Sequence, residues 1–259
     1  KEATEALNAG FKEITLLGQN VDSYGKDFEE KNYRLAQLLR DLNSLDGNFR
    51  IRFVTSYPTD ITDELIDTVV ELDKVCEYFH IPMQSGSSEV LKKMNRRYTR
   101  EEYFKIAQKV REKVKDVTIT SDFIAGFPGE TEEQFVETLT AMDELELDYS
   151  NTAAYSPREK TVAAKWVDKY IDEDTKTARL ARLNEGVRKN CLKSNQKYIG
   201  REMEVLIENF ENHKGKNVIT GRTRNNKIVH IPCDTDRTGK FVNVKITGAK
   251  TWYLNGEVI

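Results

Sequence analysis

Residues 117–131 read VTITSDFIAGFPGET. The first nine are mostly β-branched, aromatic or small, a run of strand length, and Gly126 closes it. Two glycines and a proline follow. Thr131 then precedes Glu132-Glu133-Gln134, so its hydroxyl can cap free helix N–H groups while the third residue reaches back. A strand that passes through a glycine-rich turn into a capped helix is the repeating unit of a parallel α/β fold. Such a turn also lets backbone approach a ligand closely.

The same unit recurs on both sides. Strand-forming runs appear at Glu13 to Leu17, Arg50 to Val54, Tyr78 to Met83, Val117 to Ala125 and Tyr149 to Tyr155. Helix-like stretches lie between them. Thr62 before Asp63-Glu64 and Thr99 before Arg100-Glu101-Glu102 read as helix starts, with acids where the helix dipole favours them. Five strands alternating with helices predict parallel pairing with right-handed crossovers, curled into a barrel or laid out as a doubly wound layer. Periodicity leaves both open.

After about Gln196 the pattern changes to short alternating segments, at Arg201 to Ile207, Asn217 to Thr223, Ile228 to Ile231, Phe241 to Thr247 and Trp252 to Val258, punctuated by glycines. This is the pattern of a small all-β barrel of about 60 residues, of the five-stranded kind used for nucleic acid. The expected division is therefore residues 1–196 and 197–259, with a helix from Asp174 to about Tyr198 as connector.

Of the 259 residues, 38% are hydrophobic and 32% charged, and no apolar run approaches the roughly eighteen residues of a membrane-spanning helix. No membrane partner is expected. The opening KEATEALNAG reads as the tail of an amphipathic helix, so the chain is expected to begin mid-protein. Charge is uneven. Residues 197–259 carry 11 Lys+Arg against 7 Asp+Glu, which leaves 29 against 36 for the rest. A basic tail behind an acidic body suits a polyanionic partner. Cys76, Cys191 and Cys233 are far apart and form neither a disulfide framework nor a metal-ligand spacing, which fits a reducing cytoplasm and small apolar roles.

Ligands of parallel α/β folds bind beyond the carboxyl ends of the strands, where loops and helix N-termini converge. All five ends are polar here: Gly18-Gln19-Asn20, Thr55-Ser56-Tyr57-Pro58, Gln84-Ser85-Gly86-Ser87, Ser121 and Asp122 before Gly126-Phe127-Pro128-Gly129-Glu130-Thr131, and Tyr155-Ser156-Pro157-Arg158. No Ser/His/Asp arrangement, metal-spaced cluster or Walker-type loop is visible, and His80, inside a strand, reads as a packed histidine.

Taken together, GQNVDSYG, RFVTSYP, HIPMQSGS, LKKMNRRYTREEY, DFIAGFPGETEEQF and YSPR closely resemble the radical S-adenosylmethionine methylthiotransferases. The tail, from GRTRNNKIVHIP through FVNVKIT to LNGEVI, is similar to the RNA-binding TRAM barrel that closes those enzymes. The resemblance covers nearly the whole chain. It implies a partial (βα)6 barrel, of which this chain supplies strands two to six, followed by TRAM.

Within the family, GQNV followed by YG, with GRTRNNK in the tail, most resembles the branch that acts on tRNA. That branch adds a methylthio group to C2 of isopentenyladenosine beside the anticodon. The ribosomal-protein aspartate methylthiotransferases, and an RNA-binding fragment without catalysis, are the alternatives. The resemblance further implies S-adenosylmethionine and two 4Fe–4S clusters in the complete protein, a tRNA anticodon stem-loop as substrate, a flavodoxin or ferredoxin as electron donor, and a cytoplasmic location. In the family one cluster cleaves S-adenosylmethionine to a 5′-deoxyadenosyl radical, and the protein supplies orientation and exclusion of water.

The family's CxxxCxxC loop and the cysteines of its auxiliary cluster have no counterpart here, so no metal ligand is expected and this piece alone is expected to be inactive. Transferred by position, the resemblance implies cofactor contacts at Gln19, Asn20, Thr55, Ser56, Gln84, Ser85, Asp122, Gly126, Phe127 and Tyr155, with Asp22 and Tyr24 farther out, nearer a bound nucleotide. Arg97 is expected to pair with a carboxylate or a tRNA phosphate, or to stay solvated. Arg222, Arg224, Asn225 and Lys227 are expected to form a phosphate-facing hairpin, with Arg158 and Lys160 guiding the anticodon loop.

Overall fold

The computed structural model describes residues 1–29, 33–213 and 215–259. In chain order the first unit comprises α1 (Glu2–Asn8), β1 (Glu13–Leu17), α2 (Leu35–Asn43), β2 (Arg50–Val54), α3 (Asp63–Glu71), β3 (Tyr78–His80), α4 (Ser88–Lys93), α5 (Arg100–Lys113), β4 (Thr118–Ala125), α6 (Glu132–Glu144) and β5 (Tyr149–Ala154). The long helix α7 (Glu173–Gln196) leads to β6 (Glu202–His213), β7 (Lys216–Thr223), β8 (Ile228–Pro232), β9 (Phe241–Ala249) and β10 (Leu254–Val258).

Helices begin where the hydroxyls and acids stand. Thr62 accepts from Leu65 N, and Thr99 and Thr131 form complete capping boxes with Glu102 and Gln134. These bonds satisfy N–H groups that the first helical turn cannot pair internally. Asp172 caps α7 in the same way through Thr175 N.

Strands β1 and β2 pair in parallel, as do β3, β4 and β5. An Ile51–Val75 bridge and the bond from Ser56 N to the His80 carbonyl (2.8 Å) join the two groups into one curved sheet ordered β1-β2-β3-β4-β5. The third strand is shorter than its apolar run. Pro82 has no N–H to give the ladder, and only Gln84 bridges back to Phe123.

Alternation sorts the side chains. Ile51, Phe53, Phe79, Ile119 and Phe123 are at most 1% exposed and pack against helix residues such as Leu39, Ile66 and Tyr103. Their neighbours Arg50, Arg52, Tyr78, His80, Thr120, Asp122 and Asn151 point to the concave side, the lumen of the partial barrel. A parallel strand buried on both faces is usually apolar throughout, so a polar inner face marks a lumen that is not a packed core.

The small barrel closes in the order β10-β8-β7-β6-β9, with β8 and β10 parallel and the other pairs antiparallel. Gly221 permits the closure, because a Cβ there would sit 2.1 Å from the Leu206 carbonyl oxygen. Val205, Ile219, Val229, Ile231, Val244 and Leu254 fill the interior. The last strand starts at Leu254. Thr251 and Trp252 instead form a bend that leaves Trp252 at the surface.

The small barrel docks on the amino-terminal end of the first sheet. Arg50 donates to the carbonyls of Arg222 (2.9 Å) and Glu204 (3.0 Å), and Arg52 donates to the Arg224 carbonyl (2.9 Å) and to both Glu13 oxygens. The hairpin between β7 and β8 thus lies against part of the floor of the lumen. No helix among the described residues is long and apolar enough to cross a membrane.

Candidate cofactor mouth and barrel lumen

Three successive strand ends turn through left-handed backbone, at Thr55 (φ 77), Gln84 (φ 73) and Gly126 (φ 73). A left-handed conformation is an outlier for a β-branched threonine, costs on the order of 1–3 kcal/mol and collects at ligand sites. Near these turns two buried polar atoms have no protein partner, Asn20 Oδ1 and the Tyr155 hydroxyl. At the mouth, left-handed turns therefore lie beside unpaired polar atoms, a combination that a polar ligand can use; Arg50 Nε and Thr118 Oγ1 are likewise unpaired at the strand starts.

The loop after β4 is held from beneath. Gly126 N donates to Glu130 Oε2 (2.7 Å), and Arg179 Nη1 reaches the same oxygen at 2.9 Å. Burial raises the Glu130 pKa, and the bonds from Gly126 and Arg179 oppose it. Lys176 lies across Gly126 so closely that a Cβ there would be 2.4 Å from its Cγ. Phe127 meets Tyr155 (5.3 Å) and Trp166 (6.0 Å) edge-on, and Tyr155 meets Tyr170 at 6.2 Å, which gives this side of the mouth an aromatic wall.

Asn20 donates to Ser23 Oγ (2.8 Å) and Asp60 Oδ2 (2.5 Å), so its amide nitrogen is engaged while its oxygen is free. Gln19 is exposed at the rim. Two expected cofactor contacts are turned away from the mouth. The Ser56 hydroxyl donates to Asp22 Oδ1 (3.1 Å), and the fully buried Ser85 hydroxyl faces Thr138 Oγ1 of α6 (3.3 Å). Asp22 is not farther out, as expected. It is 6% exposed, and desolvation pushes its carboxyl up to about 7 against the opposing Ser56 bond.

Asp122 reaches the lumen. Its Oδ1 accepts from Asn151 (2.9 Å), its Oδ2 lies 3.3 Å from His80 Nε2, and His80 Nδ1 meets Thr120 Oγ1 at 2.9 Å. Burial would raise the Asp122 pKa, but the bonds from His80 and Asn151 and the charge of Arg96 outweigh it and hold the carboxyl below its usual range. His80 is therefore part of a polar lumen network and not a packed core residue. Strand alternation with Phe79 was the sequence signal that could have found it. Arg96 was also missed. It is Arg96 that acts on Asp122, while Arg97 is exposed and held only through its backbone N–H to the Tyr57 hydroxyl (3.1 Å).

The hairpin residues differ most from expectation. Arg224 binds Glu77 and the carbonyls of Asp73 and Val75, Asn225 donates to Tyr198 Oη (2.7 Å) and the Asp116 carbonyl, and Lys227 binds Asp148 and Ser194. Asn225 is 3% and Lys227 7% exposed. These groups fasten the small barrel to the sheet, Asn225 and Lys227 buried and Arg224 29% exposed but taken up by Glu77 and two carbonyls, so a phosphate-facing surface at this hairpin does not fit their placement. The reason is charge complementarity: Glu77 and Asp148 at the strand starts meet the hairpin's cations. Arg222 stays half-exposed, between Glu208 (3.3 Å) and Asn226 (3.2 Å). Arg158 and Lys160 are exposed beyond Tyr155.

Residues 1–142 match the family model of the radical SAM superfamily. This chain belongs to the radical SAM superfamily. Residues 196–259 match the TRAM domain model, which identifies the small barrel. Proteins named tRNA-2-methylthio-N(6)-dimethylallyladenosine synthase are 49% identical in Thermoanaerobacter pseudethanolicus, over 258 residues, and 48% in Alkaliphilus oremlandii, over 259. Both alignments cover all of this chain and 54% of the relative, so the chain spans about half the length of these curated relatives. Among solved structures, coproporphyrinogen III oxidase (HemN) from Escherichia coli, a radical SAM enzyme, superposes with a TM-score of 0.53 at 18% identity, over 77% of this chain and 48% of that one. The likeness concerns the fold.

The superfamily's cofactors test the radical SAM mouth in two ways. S-adenosylmethionine has amine, carboxylate, ribose and adenine edges that suit the free oxygens, left-handed turns and aromatic wall. An iron–sulfur cluster does not fit the residues present. Cys76 is buried before β3, Cys191 is buried on α7 and Cys233 follows β8, and no cluster of three or more His, Cys, Asp or Glu side chains able to hold a metal exists among the described residues. Burial raises the Cys76 thiol and pushes Cys191 up to about 11, opposite to what a thiolate ligand needs.

Proposed function

We propose that the protein to which this chain belongs is a tRNA methylthiotransferase that adds a methylthio group to C2 of isopentenyladenosine beside the anticodon. It would work in the cytoplasm, on the anticodon stem-loop, with a flavodoxin or ferredoxin supplying electrons. The observation that carries this reading is the alignment of the entire chain, barrel and TRAM together, with relatives of that name at 47–49% identity. The iron–sulfur clusters would be held by residues in the part of the relatives' length that this chain does not span.

Bound at the mouth, S-adenosylmethionine would supply the radical and the methyl group. The left-handed turns at Thr55, Gln84 and Gly126 would shape its seat, the Asn20 oxygen would accept from it, and Phe127 and Tyr155 would flank its adenine. The His80–Asp122–Asn151 network lies below the mouth. Asp122, ionised, would accept from an amine or hydroxyl of the cofactor, and its bonds to His80 and Asn151 keep it oriented. The target base must leave its stack to enter.

The test is nucleoside mass analysis of tRNA from cells lacking the gene. Loss of the 2-methylthio group with isopentenyladenosine retained is expected. Persistence of the 2-methylthio nucleoside would overturn the reading.

A further inference from the structure

At the floor of the lumen, where β3, β4 and β5 begin, a cavity of about 410 Å³ opens between the barrel, α7 and TRAM. Tyr149 and Trp252 form its rim. They meet edge-on at 6.1 Å and remain 41% and 48% exposed. Tyr78, His80, Thr120 and Asn151 form its inner wall, and on the TRAM side stand Arg222, half-exposed, and Lys227, neutralised by Asp148 of the same lining.

We propose that this cavity is a binding site for one unstacked nucleobase of single-stranded RNA, a base other than the one modified; the inference rests on the tRNA reading above. An aromatic face stacks with any base, the polar wall can satisfy a base edge, and half-exposed Arg222 on the rim suits the adjoining phosphate. Depth rules out the modified base itself. From Thr120 to Ala125 the strand climbs roughly 17 Å at about 3.3 Å per residue, so a base at the floor lies far from the mouth. The site also relocates TRAM's contribution to RNA binding. The hairpin cations are spent on domain docking, whereas the Lys250–Tyr253 bend turns Trp252 outward beside the sheet.

The full-length protein tests this with an anticodon stem-loop that carries 2-aminopurine at one loop position at a time, the modified position excepted. Wild type should change the emission at one of these positions. Trp252→Ala and Tyr149→Ala should abolish that change and weaken binding about 5- to 150-fold, the range for loss of one base–aromatic stack, and Trp252→Phe should retain both. Binding within twofold of wild type and an unchanged emission profile in both alanine variants would overturn the inference while leaving the tRNA reading intact. Failure of the wild-type protein to bind the stem-loop would remove both.

Discussion

Lys227 Nζ lies 3.0 Å from Asp148 Oδ1 across the boundary between the two barrels, and both side chains are buried. Ser194 Oγ bonds to both groups, and the second Asp148 oxygen accepts from Ile119 N (2.9 Å). Three separate parts of the chain thus meet at one satisfied charge pair. Removing one partner of such a pair leaves the other charged and desolvated. Lys227→Met should therefore cost about 3–5 kcal/mol of stability, read from the urea midpoint. A loss below about 1 kcal/mol would mean the domains do not dock this way in solution.

Asp22 has a pH signature of the opposite sign to a salt-bridged carboxylate. Its folded pKa of about 7 exceeds the ordinary aspartate value, so the folded state holds a proton that the unfolded chain releases. Its contribution is fully present below about pH 4 and is lost as pH rises through about 7, by on the order of 4 kcal/mol in all. Asp22→Asn should flatten the fall in melting temperature between pH 5 and 8 and stabilise the protein at pH 8. Parallel profiles for the two proteins would refute the assignment.

Gly126→Ala combines two penalties. The left-handed backbone costs a non-glycine residue roughly 1–2 kcal/mol, and the new methyl would displace Lys176. Adding Lys176→Ala should relieve the second penalty and not the first, so the double variant should be less destabilised than the sum of the singles. Calorimetric titration of the full-length protein with S-adenosylmethionine should show weaker binding to Gly126→Ala. Unchanged affinity would place the cofactor elsewhere.

Exposed and docked cations should separate by salt dependence. Arg158→Ala and Lys160→Ala should each weaken RNA binding and reduce the slope of log affinity against log salt by about 1 for each phosphate no longer neutralised. Arg224→Ala, which removes the bonds to Glu77, should lower the melting temperature with the slope unchanged. A slope change in Arg224→Ala of the size seen for Arg158→Ala would return the hairpin to the RNA surface.

The βα rhythm, the capped starts at Thr62, Thr99 and Thr131, and the change to a five-stranded barrel after α7 were legible in the sequence. Each depends on residues close together in the chain: a hydroxyl three positions before its N–H, or an apolar residue at every second position. The five polar strand ends were legible for the same reason, since a strand's end is a local property.

Which polar residue faces the ligand was not legible. Ser56 and Ser85 lie at strand ends as expected, yet their partners, Asp22 and Thr138, come from 34 and 53 residues away and draw the hydroxyls out of the mouth. Alternation with Phe79 sets the face that His80 takes, but its partners Thr120 and Asp122 come from the adjacent strand, and no local pattern reports a neighbouring strand's register. The cations of GRTRNNK show the same limit. Sequence determined that this turn is basic, and only the tertiary structure decided that Arg224 and Lys227 meet Glu77 and Asp148. Desolvating a charge is tolerable only where a fixed opposite charge awaits it, and where it waits is decided by the packed fold.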